Sequence, residues 1–127
     1  MSLTFDSARL PNPELTPDHE EWRRQLRKFV DTEIAPYFDE WDEAGALPPE
    51  LWKKAADVGL LQLGFDEKYG GISQGIDLYY SMIVNEELAR VGSGGGIASS
   101  LLIHGIGLPP VANFAREEIK QEIVPAV

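Results

Sequence analysis

Ser73, Asp77 and His104 are the residues of this 127-residue chain whose types and order first suggest chemistry. Ser73 stands in "GISQG", residues 71 to 75, which matches the G-x-S-x-G nucleophile elbow, and the order serine, acid, histidine is that of α/β-hydrolases. The elbow works because a strand-to-helix turn exposes the serine above a parallel sheet, and no stretch here shows a strand pattern of useful length. Ser73 therefore reads as a turn residue ahead of a helix. A second candidate is "GSGGG", residues 92 to 96. A dinucleotide fingerprint needs G-x-G-x-x-G between a strand and a helix, but Ile97 occupies the third glycine position and the helical pattern "EELARV" precedes it. No Walker lysine follows. Gly92 is expected to end a helix, with Gly94 to Gly96 permitting a tight reversal and close backbone approach.

His19 and His104 are the only histidines, and neither belongs to a ligand set at helical spacing, although Glu21 lies near His19; no metal site is expected. His104, inside an apolar run, reads as a core or pocket-wall residue with a functional role left open. The pairs Asp66 and Glu67, Glu86 and Glu87, and Glu117 and Glu118 are adjacent. Adjacent side chains diverge on a helix, so solvated faces are expected.

The elements that must position these residues follow from periodicity. Residues 1 to 15, with two prolines and no sustained period, read as an extended lead-in, and 16 to 127 as one helical domain. Thr16 can cap a helix opening at Pro17, with Asp18, Glu20 and Glu21 against its positive end. Trp22, Leu26, Phe29, Val30, Ile34, Tyr37 and Trp41 then form an apolar stripe, predicting one long helix to Gly45, kinked at Pro36. Pro48 and Pro49 open a short helix through Leu51, Trp52, Ala55 and Val58 that Gly59 can stop. Glycines at 64, 70, 71 and 75 make a shaped loop. From Asp77 a third major helix places Tyr80, Val84, Leu88 and Val91 on one side, with Asn85, Glu86 and Arg90 facing elsewhere. Residues 95 to 115 read as a nearly uncharged helix, and "REEIKQEIVP" as a short polar one stopped by Pro125. The expected fold is all-α, an antiparallel helical bundle.

Composition narrows the partners. A net charge of −10 without a basic stripe argues against nucleic acid and anionic lipid. The lack of cysteine excludes disulfides and thiolate metal sites and is compatible with a cytoplasmic location; no secretory signal is expected. A membrane span needs about 20 apolar residues. Ile97 to Ala115 is interrupted by His104, Gly105, Gly107, Pro109 and Pro110, so a buried helix is expected instead of a span. Its neutrality all round implies burial on several sides, for which it needs something further to pack on.

Read in order, "LTPDHEEWRRQLRKFVDTEIAPYFDEWDEAGALPPELWKKAADVGLL", "FDEKYGG", "MIVNEELARV", the small-residue stretch with His104, and "REEIKQEIVP" resemble the N-terminal helical domain of the acyl-CoA dehydrogenase family. The likeness covers about residues 13 to 127. Its departure is "FDEKYGG", where members commonly carry a proline before the acidic residues. The resemblance implies an FAD-dependent enzyme that dehydrogenates acyl-CoA thioesters across Cα and Cβ and passes electrons to an electron-transferring flavoprotein. It also implies a middle β-domain and a second helical domain that hold the base and most FAD and coenzyme A contacts. No catalytic residue is assigned here, and the chain alone is expected to be inactive. A homo-oligomer is expected. The positions matching the family's acyl-cavity wall are Ala98, Ser99, Leu102 and Ile106, of which Ala98, Leu102 and Ile106 would share one helix face. Ordinary helix packing accounts for the same stripe equally well. A function of another class, a stand-alone helical protein-interaction module, fits the same sequence.

Overall fold

The computed structural model describes residues 6–91 and 94–126. Its helices are α1 (Pro17–Phe29), α2 (Phe38–Ala44), α3 (Glu50–Asp57), α4 (Leu78–Ala89), α5 (Gly94–Leu101), α6 (His104–Phe114) and α7 (Glu117–Ile123). Among the described residues there is no strand, only an isolated parallel bridge between Leu63 and Ile72. The all-α expectation holds.

α1 starts as the sequence requires. The Thr16 side chain accepts from the His19 amide, and the His19 ring accepts from the Thr16 amide, closing a capping box in which histidine replaces the usual Glu or Gln. The long helix does not continue to Gly45. Pro36 has no N–H, and its ring crowds the carbonyl four residues back, so the chain widens into a π-helical turn over Val30–Ile34, with the Ala35 amide bonding the Val30 carbonyl at 2.8 Å. A turn then separates it from α2. The predicted stripe divides accordingly: Trp22, Leu26, Phe29, Val30 and Ile34 are buried, while Tyr37 stays exposed, stacked on Trp41.

α1 and α4 lie side by side in the same direction: His19 meets Asp77, Arg23 meets Glu86 and Glu87, and Asp31 meets Arg90. The connection through α2, α3 and the glycine loop is long enough to carry the chain back to the end where α1 began. Between the helices Leu26, Phe29, Val30, Ile83, Val84 and Leu88 share one core, joined by Leu51 and Ala55 of α3 and by Ile97 and Leu101 of α5. Deleting any of the larger buried side chains would remove about 2–5 kcal/mol. A smaller cluster of Tyr69, Leu108 and Val124 ties the loop to α6 and the C-terminal turn.

Three expectations about the later part change. The uncharged helix is two helices, α5 and α6, parted at Leu102 and Ile103. Pro109 and Pro110 lie within α6, as the reading of 95 to 115 as helical required. Gly94 to Gly96 open α5 instead of forming a reversal, and a Cβ placed on Gly96 would meet nothing within 4 Å, so no close approach is made there. Gly92, the expected helix stop, lies outside the described residues. Finally, burial on several sides is not supplied by the described residues. The stretch Gly96–Phe114, with 19 residues and mean hydropathy 1.3, is long and apolar enough to cross a membrane by length and composition, yet only about 17% of it is buried.

Candidate functional site

A cleft of about 970 Å³ opens between the glycine loop, α4 and the α5–α6 pair. The loop forms its first wall. Gly59, left-handed at φ +83°, ends α3 and turns the chain toward Leu60 and Leu63. Gly71 lets the loop return over itself: a Cβ there would stand 2.1 Å from the Phe65 carbonyl oxygen, closer than any side chain tolerates. The Gly64 and Ile72 amides then bond the Ile72 and Gln62 carbonyls at 2.8 and 2.9 Å, pinning the two arms.

The other end of the loop is pinned by Glu67. Its carboxylate accepts from the Ser73 hydroxyl at 2.8 Å and from the Ser73 and Gln74 amides at 2.9 Å. These bonds, that of the Ser73 hydroxyl first, lower the carboxyl to about 2. Ser73 is thus the turn residue its context implied. The letters of the hydrolase motif do not converge on a relay, because each has another partner. Asp77 accepts from the His19 ring and the Tyr79 amide, and His104 Nδ1–H donates to the Leu101 carbonyl at 3.1 Å.

The second wall is α4, through Ser81, Val84 and Asn85. The third carries the four residues singled out from the sequence: Ala98, Ser99, Leu102 and Ile106 all line this cleft. Ala98 and Leu102 are half-buried and pack on the core, whereas Ser99 and Ile106 are exposed, Ile106 to 74%. The break at Leu102 and Ile103 means that they do not lie on one continuous helix face, contrary to the four-residue spacing. His104, tilted against Phe65 at 6.1 Å, stands where the two helices part. Sequence reasoning did not name Leu60, Leu63, Phe65 and Val84 as cleft residues. Loop glycines signal that a segment folds back but not which side chains it brings home.

Of the acidic pairs, Asp66, Glu67, Glu86, Glu117 and Glu118 are exposed as expected, and Glu87 alone of the six is not. Glu87 is 1% exposed, because α4 turns it onto α1, where Arg27 and Arg23 bond it at 2.9 and 3.2 Å and Arg90 at 3.1 Å. Burial pushes its carboxyl up, but hydrogen bonds and charge, chiefly from Arg27, outweigh this and hold it below the usual carboxylate range. Glu117 accepts from the Tyr69 hydroxyl at 3.0 Å. Arg23 and Arg27, four apart within an apolar stripe, were the legible signal of a buried acid. Among the described residues no group of three or more His, Cys, Asp or Glu could hold a metal ion.

Known proteins share this fold. The family model for the acyl-CoA dehydrogenase N-terminal domain matches residues 16–127. The mitochondrial long-chain specific acyl-CoA dehydrogenase of Sus scrofa is 37% identical over 111 residues, covering 85% of this chain but 24% of that protein. The crystal structure of an acyl-CoA dehydrogenase from Geobacillus kaustophilus superposes with TM-score 0.79 at 35% identity, over 91% of this chain and 29% of that one. A chain in the structure described for the electron transferring flavoprotein of Acidaminococcus fermentans gives TM-score 0.74 at 27% identity, covering 92% of this chain and 30% of that one. The chain thus spans about a quarter of the curated relative's length.

Proposed function

The chain belongs to the acyl-CoA dehydrogenase family, as its N-terminal domain, and from that premise we propose that it works within a longer FAD-dependent enzyme that dehydrogenates acyl-CoA thioesters at Cα and Cβ. The observation that carries the reading is the convergence of Ala98, Ser99, Leu102 and Ile106 on one cleft whose opposite walls are Leu60, Leu63 and Val84. Such walls suit a hydrocarbon chain, since each buried methylene contributes about 0.8 kcal/mol. Their part is to hold the acyl group and keep water from it.

The flavin, a two-electron acceptor when bound, is not held by this chain alone. Arg23, Arg27 and Arg90, the cationic side chains grouped between α1 and α4, are engaged with Glu87 and offer no diphosphate site there. FAD, most coenzyme A contacts and the base are assigned to segments beyond these residues. The same proposal includes an electron-transferring flavoprotein as electron acceptor, supported by the likeness to a chain in the Acidaminococcus flavoprotein structure. It also includes a homo-oligomer and a cytoplasmic location, the latter to be checked by cell fractionation. It takes Gly96–Phe114 as a surface covered by the rest of the enzyme and not as a membrane span.

The test uses the parent protein. Its flavin absorbance bleaches on adding decanoyl-CoA. Leu102→Trp and Ala98→Trp, which fill the cleft, lower kcat/KM for palmitoyl-CoA at least tenfold relative to butyryl-CoA. The exposed Ile103, Ile106 and Phe114 equally favour a second reading, a helical module that binds a protein partner. A colourless parent protein that ignores acyl-CoA decides for that module.

A further inference from the structure

We infer that His19 is a positioning residue for the cleft, a clamp that joins the starts of α1 and α4 and so sets the α4 wall. The parallel packing of these helices brings both amino ends to the same place. Each end presents unpaired amide donors and partial positive charge, so two ends side by side repel unless an acceptor lies between them. Asp77 supplies it. Its carboxylate caps α4 by accepting the Tyr79 amide at 2.9 Å and also accepts from His19 Nε2 at 3.0 and 3.1 Å.

The ring's other nitrogen belongs to α1. Nδ1 accepts the Thr16 amide at 2.9 Å, and because an amide only donates and a carboxylate only accepts, the ring proton is fixed on Nε2. The ring is 3% exposed and meets Tyr79 and Tyr80 edge-on at 5.6 and 4.6 Å, which leaves it no second orientation that keeps both bonds. Ser81, Val84 and Asn85 follow Asp77 at spacings that return to one side of a helix, and all three line the cleft. Rotation of α4 at its start is therefore transmitted to that wall.

Three substitutions in the parent protein separate a clamp from plain packing. His19→Asn keeps an acceptor near Nδ1 for the α1 cap but is too short for Asp77. His19→Gln keeps a donor near Nε2 for Asp77. Asp77→Ser keeps an α4 cap, since serine is as good there as aspartate, but does not reach His19. Amide exchange from Tyr79 to Asn85 is expected to quicken about tenfold in His19→Asn and Asp77→Ser and to stay within about twofold of the parent in His19→Gln. KM for decanoyl-CoA should rise about fivefold in the first two, with kcat within twofold. This kinetic arm rests on the acyl-pocket reading; the exchange arm does not. If acyl-CoA is not turned over by any form, the pocket reading fails while exchange still decides the clamp. Unchanged exchange in Asp77→Ser, or equal acceleration in His19→Gln and His19→Asn, overturns it. Asp77→Ser carries the decision if a His19 variant does not fold.

Discussion

Gly71 and Glu67 show how single residues build the loop wall of the cleft. At Gly71 a methyl group would enter the Phe65 backbone, and neither partner can move without opening the bridge between Leu63 and Ile72. Gly71→Ala is expected to destabilise the protein by about 1–3 kcal/mol, read from denaturant unfolding with the Gly96→Ala variant, whose Cβ meets open space, as control. Glu67 acts through charge. Its folded carboxyl lies at about 2, below its ordinary value, so its hold on Ser73 and Gln74 is full above the ordinary carboxylate range and is lost as pH falls toward 2. Amide exchange at Ser73 and Gln74, corrected for intrinsic rates, should rise over that window, and Glu67→Gln should show the rise already at neutral pH. Both residues lay in a stretch whose glycine density announced a loop. Which glycine was needed for a positive φ and which for contact was not written there, since the contact partner is set by how the loop closes.

At the scale of elements, α1 and α4 are joined twice: by the His19 and Asp77 clamp at their starts and by Glu87 among Arg23, Arg27 and Arg90 further along. Removing the acid takes away the partner that Arg23, Arg27 and Arg90 share and leaves each with one more exposed carboxylate, Glu86, Asp6 and Asp31 respectively. Glu87→Ala is expected to cost about 1.5–3 kcal/mol in urea unfolding, with Glu87→Gln intermediate because it keeps hydrogen-bond acceptance. The sign with pH follows from the lowered carboxyl: the ion cluster stabilises above the ordinary carboxylate range and weakens as pH falls through the lowered value. The start of α1, the stop of α3 at Gly59 and the start of α4 at Asp77 were legible because caps are local chemistry. The π-turn before Pro36 and the break between α5 and α6 were not, because a periodic stripe shows that residues can share a face without showing where backbone bonds change register.

For the molecule as a whole, the apolar run from Gly96 to Phe114 lies mostly outside the core, with Phe114 87% exposed. In this chain alone that surface should drive self-association. The expected outcome is a concentration-dependent rise in sedimentation coefficient that Ile106→Lys with Phe114→Lys abolishes; a monomer at all concentrations in the unsubstituted chain would refute it. The sequence by itself determined the all-α class, the starts of α1, α3 and α4, the loop, and the family, because caps, glycines and 3.6-residue stripes are read from neighbours along the chain. Tertiary structure alone decided that α1 and α4 run in parallel, that Glu87 is buried among arginines, that His19 joins two helix caps, and that Val84 and Phe65 face the same cleft as Leu102. These depend on which distant segments meet, and a charge or an apolar side chain has the same letter whether its partner is water or another helix.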